Sequence, residues 1–120
     1  MKTLRSFAYA WQGLKYAFLT QNNFRIHLAA ACVATIMGFL CQISQTEWFV
    51  ILICMALVIS GELFNTALEK FCDLAYPERQ PVIKIVKDLS AGAVLISALI
   101  SLVVGSIIFI PKIILILKAT

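Results

Sequence analysis

The chain reads as an all-α membrane protein: an amino-terminal amphipathic surface helix followed by three transmembrane helices. Three observations predict this. Of 120 residues, 62% are hydrophobic and only 13% are charged, far from the balance of a soluble domain. Three apolar stretches, about 26–43, 48–71 and 91–110, are long enough to cross the hydrocarbon layer as helices. Lysines and arginines flank these stretches, and in that position they read as topology signals.

Residues 1–25 form the surface element. Leu4, Phe7, Ala8, Trp11, Leu14 and Phe18 recur at three- and four-residue steps, with Arg5, Tyr9, Gln12 and Tyr16 on the other side. That spacing suits a helix lying in the bilayer interface. A secretory leader would place an apolar block directly after the basic start, and none precedes His27. The span 26–43 carries no charge inside it beyond His27, which reads as an interfacial residue rather than a ligand. A turn at Gln42–Thr46 leads to Glu47 and the interfacial anchor Trp48. Asp73 to Pro81, with two prolines, reads as a loop; 82–88 then runs helically into the span 91–110, which Pro111 and Lys112 close. The whole, 1–120, is a single integral-membrane domain with no room for a second soluble one.

Charge placement sets orientation. Lys2, Arg5, Lys15, Arg25, Lys70, Arg79, Lys84 and Lys87 fall on one side, and Lys112 and Lys118 on the other. Eight against two puts the amino terminus and the 71–90 segment in the cytoplasm. The net charge of +4 is therefore a topology signal, and no nucleic-acid partner is expected. Cys32, Cys41, Cys54 and Cys72 lack Cys-x-x-Cys spacing and read as small apolar residues, not a disulfide or zinc framework. Ser97, Ser101 and Gly105 form a small-xxx-small ridge suited to close helix packing. Three helices enclose a site poorly, so oligomerisation is expected.

The chemistry concentrates in Glu62-Leu-Phe-Asn65-Thr-Ala-Leu-Glu69-Lys-Phe-Cys-Asp73. On one helix, Glu62, Glu69 and Asp73 lie within roughly 40° of each other, with Asn65 beside them. Counted from Trp48, Glu62 is about 21 Å along the helix and Glu69 about 31 Å. Glu62 therefore sits inside the leaflet, where a charged acid is costly and functional by default. Three roles are open to it: general base for a hydroxyl presented from lipid, proton relay in a small transporter or channel component, or structural partner of another helix. Glu69 and Asp73 could ligate Mg²⁺ or be a solvated pair. Lys84, Lys87 and Asp88 on the same side favour a phosphate site, because acids hold the cation and lysines neutralise phosphate oxygens. A transporter has no need of that cluster. Neither a P-loop nor a kinase Gly-rich loop is present.

At these residues the chain resembles the small prokaryotic diacylglycerol kinase family, which includes undecaprenol kinases. The matching stretches are Glu62 to Asp73, Lys87-Asp88-Leu-Ser-Ala91-Gly-Ala-Val-Leu, and Trp11-Gln-Gly-Leu followed by Asn23-Phe24-Arg25. The resemblance implies a homotrimer in the bacterial cytoplasmic (inner) membrane. It also implies Mg²⁺-dependent transfer of the ATP γ-phosphoryl group to a lipid hydroxyl, of undecaprenol or diacylglycerol. By the same resemblance, Glu62 is the general base and Asn65 an essential neighbour. Glu69 holds the metal. Tyr9, Glu78, Arg79, Gln80, Lys87 and Asp88 serve the nucleotide, while Arg5, Trp11 and Ala91 serve the lipid. One position departs: the family usually has a glutamate, a further metal ligand, where this chain has Gln21. Weaker Mg²⁺ binding, or greater reliance on Glu69 and the triphosphate, is then expected. Asn23-Phe-Arg-Ile-His27 and Asp73-Leu-x-x-Pro77-Glu78-Arg79 resemble the undecaprenol kinase branch more than the enterobacterial one.

Overall fold

The computed structural model describes residues 1–120 as four helices: α1 (Lys2–Thr20), α2 (Asn22–Leu40), α3 (Gln45–Ala75) and α4 (Pro81–Ala119). Helices α2, α3 and α4 are each long and apolar enough to cross a membrane. Only 12 of the 120 residues are buried. The large apolar side chains left facing outward are therefore matched to lipid or to protein neighbours, since water would penalise them.

Extended backbone at Gln21 (φ −112°, ψ 109°) separates α1 from α2. The Arg25 guanidinium reaches back across this break. It donates to the carbonyls of Phe18 (2.8 Å) and Leu19 (3.3 Å), orphan acceptors at the end of α1, and also to Asn22 Oδ1. Arginine thereby fixes the angle at which the first span leaves the amino-terminal helix.

The first span ends at Leu40 rather than Ile43. Gln42 takes the left-handed conformation (φ 52°), with Ile43 N–H bonded to Gly38 O (3.2 Å) and Gln42 N–H to Phe39 O (3.3 Å). This is the Schellman pattern, with glutamine where glycine is commonest. Ile43 then folds inward to pack with Ile51, Ile108 and Phe109, the main buried apolar cluster. Trp48 closes this end: its ring centroid lies 4.9 Å from that of Phe39, and its edge lies against Gly38. A Cβ added at Gly38 would stand 2.5 Å from the indole. Gly38→Ala is therefore expected to cost about 1–3 kcal/mol by overpacking, read as a lower unfolding midpoint in detergent, with Trp48→Phe in the same chain recovering most of it.

Helix α3 opens with a capping box. Glu47 N–H donates to Ser44 Oγ (3.2 Å), and Ser44 N–H donates to Glu47 Oε1 (2.9 Å). Lys112, just past Pro111, completes the cluster at 3.2 Å from Glu47. Glu47 lies outside the apolar span, and the Ser44 N–H holds its carboxyl below the usual value; Lys112 adds to this and partial desolvation opposes it. Its folded value lies beneath its unfolded one, so its contribution is complete above the unfolded carboxylate range and fades as pH falls through the folded value. Wild-type protein and Glu47→Gln are expected to differ in unfolding midpoint at pH 7 and to converge as pH falls below the ordinary carboxylate range and through the folded value.

Two further boundaries differ from the sequence reading. Asp73 is helical, since α3 continues to Ala75 and the loop is only 76–80. Tyr76 precedes Pro77 and leaves the helical region (φ −141°), as the proline ring demands; Pro81 occupies the start of α4, where its missing N–H costs nothing. Pro111 also fails to end α4, which continues to Ala119. One lost backbone bond is tolerated inside so apolar a helix. At about 58 Å, α4 outruns a hydrocarbon layer of about 30 Å. At Gly105, the last position of the small-residue ridge, no helix of the same chain packs closely: a Cβ there would meet nothing within 4 Å.

Candidate active site

Further along the buried face of α3 that carries Ile51 and Val58, the acidic stripe meets its partners. Glu62 is the only buried charged residue, 4% exposed. Its Oε1 lies 3.3 Å from His27 Nε2 on α2. One turn further, Asn65 bridges two helices: its Nδ2 donates to Glu69 Oε1 (3.2 Å), and its Oδ1 accepts from Ser90 Oγ of α4 (2.8 Å). The Ser90 bond fixes which way the amide faces and so aims its N–H₂ at the carboxylate. Glu69, half-buried, keeps its second oxygen free of protein hydrogen bonds.

At the water end, Lys87 of α4 donates to Asp73 Oδ1 (2.5 Å). This bond, the larger cause, together with the fields of Asp73, Cys72 and Glu69, holds the Lys87 ammonium above its ordinary value. Lys87 thus faces the acidic stripe. Asp88 does not: it pairs with Lys84 one turn back (2.6 Å) on the exposed side of α4, a geometry of small energetic weight. Lys70 stands 5.9 Å over the ring of Tyr16, tying α1 to α3.

The remaining sequence-selected residues are not gathered within one chain. Arg5, Tyr9 and Trp11 stand exposed on α1, the last two 67% and 68%. Glu78, Arg79 and Gln80 lie in the exposed loop, and Ala91 is exposed on α4. Gln21 donates through Nε2 to Thr20 Oγ1 (3.1 Å). His27, read from sequence as an interfacial residue, instead partners Glu62; a lone histidine in an apolar run carries no periodic signal of that meeting.

No three of His, Cys, Asp and Glu converge on one point. The chain alone therefore offers no full cation cage. A Glu69 carboxylate oxygen free of protein hydrogen bonds fits a hard cation that takes one protein oxygen and completes its shell with phosphate and water.

The family described as prokaryotic diacylglycerol kinase matches residues 8–109. The chain belongs to this family. Among relatives of this prokaryotic diacylglycerol kinase homologue, an undecaprenol kinase of Bacillus subtilis is 42% identical over 108 residues, covering 90% of this chain and 88% of that protein. A diacylglycerol kinase of Synechocystis is 39% identical over 90% of this chain and 62% of that protein. A diacylglycerol kinase of Haemophilus influenzae is 30% identical over 88% and 91%. As a member of a family of membrane lipid kinases, the chain is a lipid kinase with ATP as co-substrate.

Proposed function

We propose that this lipid kinase transfers the γ-phosphoryl group of ATP, with Mg²⁺, to the hydroxyl of undecaprenol, and less readily of diacylglycerol. The observation that carries the proposal is Glu62: a lone buried carboxylate about 21 Å along α3 from Trp48, at a depth a lipid hydroxyl can reach. Glu62 accepts the hydroxyl proton as the oxygen attacks the γ-phosphorus. Asn65, held by Ser90, orients Glu69. Glu69 with Gln21 would hold Mg²⁺, which neutralises charge on the transferring phosphate. Lys87 offsets phosphate charge from the α4 side, and Asp88, Tyr9 and Glu78 to Gln80 line the nucleotide approach. Arg5, Trp11 and Ala91 face the lipid. Most of the rate then comes from positioning and charge neutralisation.

The eight-to-two distribution of lysine and arginine supports a cytoplasmic amino terminus and a site at the cytoplasmic face of the bacterial cytoplasmic membrane. The apolar stripe of α1, from Leu4 to Phe18, is exposed in the single chain and suits the bilayer interface. A homotrimer would bring α1 of one subunit to the stripe of another, which accounts for nucleotide and lipid residues that one chain leaves apart.

The preference for undecaprenol rests on the Bacillus subtilis relative and on the Asn23 to His27 segment. Radiolabelled ATP with purified protein in mixed micelles containing both alcohols tests the activity and the preference together. Label is expected in undecaprenyl phosphate ahead of phosphatidic acid. Label in neither overturns the kinase reading and favours a proton-coupled transporter using Glu62 as relay.

A further inference from the structure

We infer that His27 is a positioning residue for Glu62, forming with it a histidine–glutamate dyad inside the membrane. The inference rests on the reading of Glu62 as general base. Three observations carry it. His27 Nε2 is 3.3 Å from Glu62 Oε1, and none of the side-chain hydrogen bonds within the chain involves Glu62, so the imidazole is its one polar neighbour at contact distance. Second, the one cation of α2, Arg25, is turned back to the carbonyls of Phe18 and Leu19 and does not compete for Glu62. Third, His27 borders a cavity of about 650 Å³ between α2, α3 and α4, whose walls are almost wholly apolar, among them Ala30, Ala34, Val58, Leu102 and Phe109. Of the pair, His27 lines this cavity, so the apolar walls offer the imidazole no other polar partner than Glu62.

On this inference the imidazole, 3.3 Å from Oε1 but not aligned as a hydrogen bond in the resting chain, closes to donate Nε2–H to Oε1 as substrate binds, and so holds the carboxylate for the incoming hydroxyl. When the hydroxyl proton transfers to the other carboxylate oxygen, the alkoxide oxygen bonds the γ-phosphorus as its bond to the β–γ bridging oxygen breaks and ADP leaves; the Oε1 contact persists and Glu62 does not swing away. A preorganised base of this kind avoids reorganisation during the reaction. The charged neighbours Glu62 senses are His27 from α2 and Glu69 along α3; on α4 the nearby cation, Lys87, is engaged by Asp73. Of the two, only the imidazole brings an N–H donor to the pair, so the dyad shows itself in the rate when that donor is removed and when it is restored by another side chain.

The test compares His27→Phe, which keeps ring bulk without an N–H, with His27→Gln, which keeps an N–H donor without titration. His27→Phe is expected to lower kcat about 10- to 100-fold with KM for ATP unchanged. His27→Gln is expected to recover to within about threefold of wild type, with the acid limb of its pH–rate profile displaced. A His27→Phe enzyme with wild-type kcat overturns the inference. So does equal loss in both variants with superimposable pH profiles, which would mark a packing role. Glu62→Gln run alongside separates the two readings: if it stays active, the general-base reading has failed; if it is dead while His27→Phe is unimpaired, only the dyad has.

Discussion

Glu62→Gln is expected to lower phosphorylation of either lipid alcohol by about 10³-fold while leaving the protein folded and able to bind ATP. The substitution preserves side-chain volume and still offers an oxygen to His27, so packing of α2 against α3 should survive. What disappears is the capacity to accept a proton. Comparison with Glu62→Asp sharpens the reading. Aspartate keeps the carboxylate but retracts it by one methylene, which misplaces the base by more than an ångström and should cost an intermediate factor of about 10². The measurement is initial rate with saturating ATP in mixed micelles, paired with nucleotide binding by equilibrium dialysis. Glu62→Gln retaining a tenth of wild-type rate would remove Glu62 from the chemistry.

Much of this site was legible in the sequence because its members share one helix. Periodicity alone placed Glu62, Asn65, Glu69 and Asp73 on one stripe, and the distance from Trp48 set their depth. What periodicity does not reach is any contact between helices. Ser90 holding Asn65, Lys87 choosing Asp73 over Asp88, and His27 meeting Glu62 all depend on how α2 and α4 pack against α3. The three spans followed from apolar length, yet their ends did not. Ile43 belongs to a turn because Gln42 adopts a left-handed conformation that few glutamines take. Pro111 sits inside a helix because the surrounding isoleucines and leucines leave the backbone no better partner than itself.

Arg5, Tyr9 and Trp11 illustrate a different limit. Their pattern on α1 is clear in the sequence, but one chain holds them away from the stripe and exposes their apolar neighbours. Such residues act, on the proposed reading, at a boundary between subunits or between protein and lipid. Neither pattern nor the fold of a single chain contains that boundary. The ion pair of Lys84 and Asp88 is a related case. Two charges that resemble phosphate-binding residues in sequence are, in one subunit, each other's partner on an exposed helix face. A pair this exposed is weakly held, so an arriving triphosphate could exchange it without large penalty.

Glu69→Gln should be the second most damaging change, lowering kcat/KM for Mg-ATP by about 10²- to 10³-fold. The physical reason is that the chain supplies so little else to a cation. No other cluster of acids is available, and at Gln21 a neutral amide stands where the family resemblance implies a carboxylate. Glutamine at 69 would retain the bond to Asn65, so Asn65 and Ser90 should keep their places and the loss should be one of charge. Raising Mg²⁺ should then restore part of the rate by shifting the binding equilibrium, and the rate at saturating Mg²⁺ should separate affinity from positioning. The reciprocal change tests the same idea from the other side. Gln21→Glu adds a second carboxylate and should lower the Mg²⁺ concentration for half-maximal rate. If Gln21→Glu leaves that concentration unchanged while Glu69→Gln raises it, position 21 lies outside the metal shell, and Glu69 with the triphosphate carries the ion.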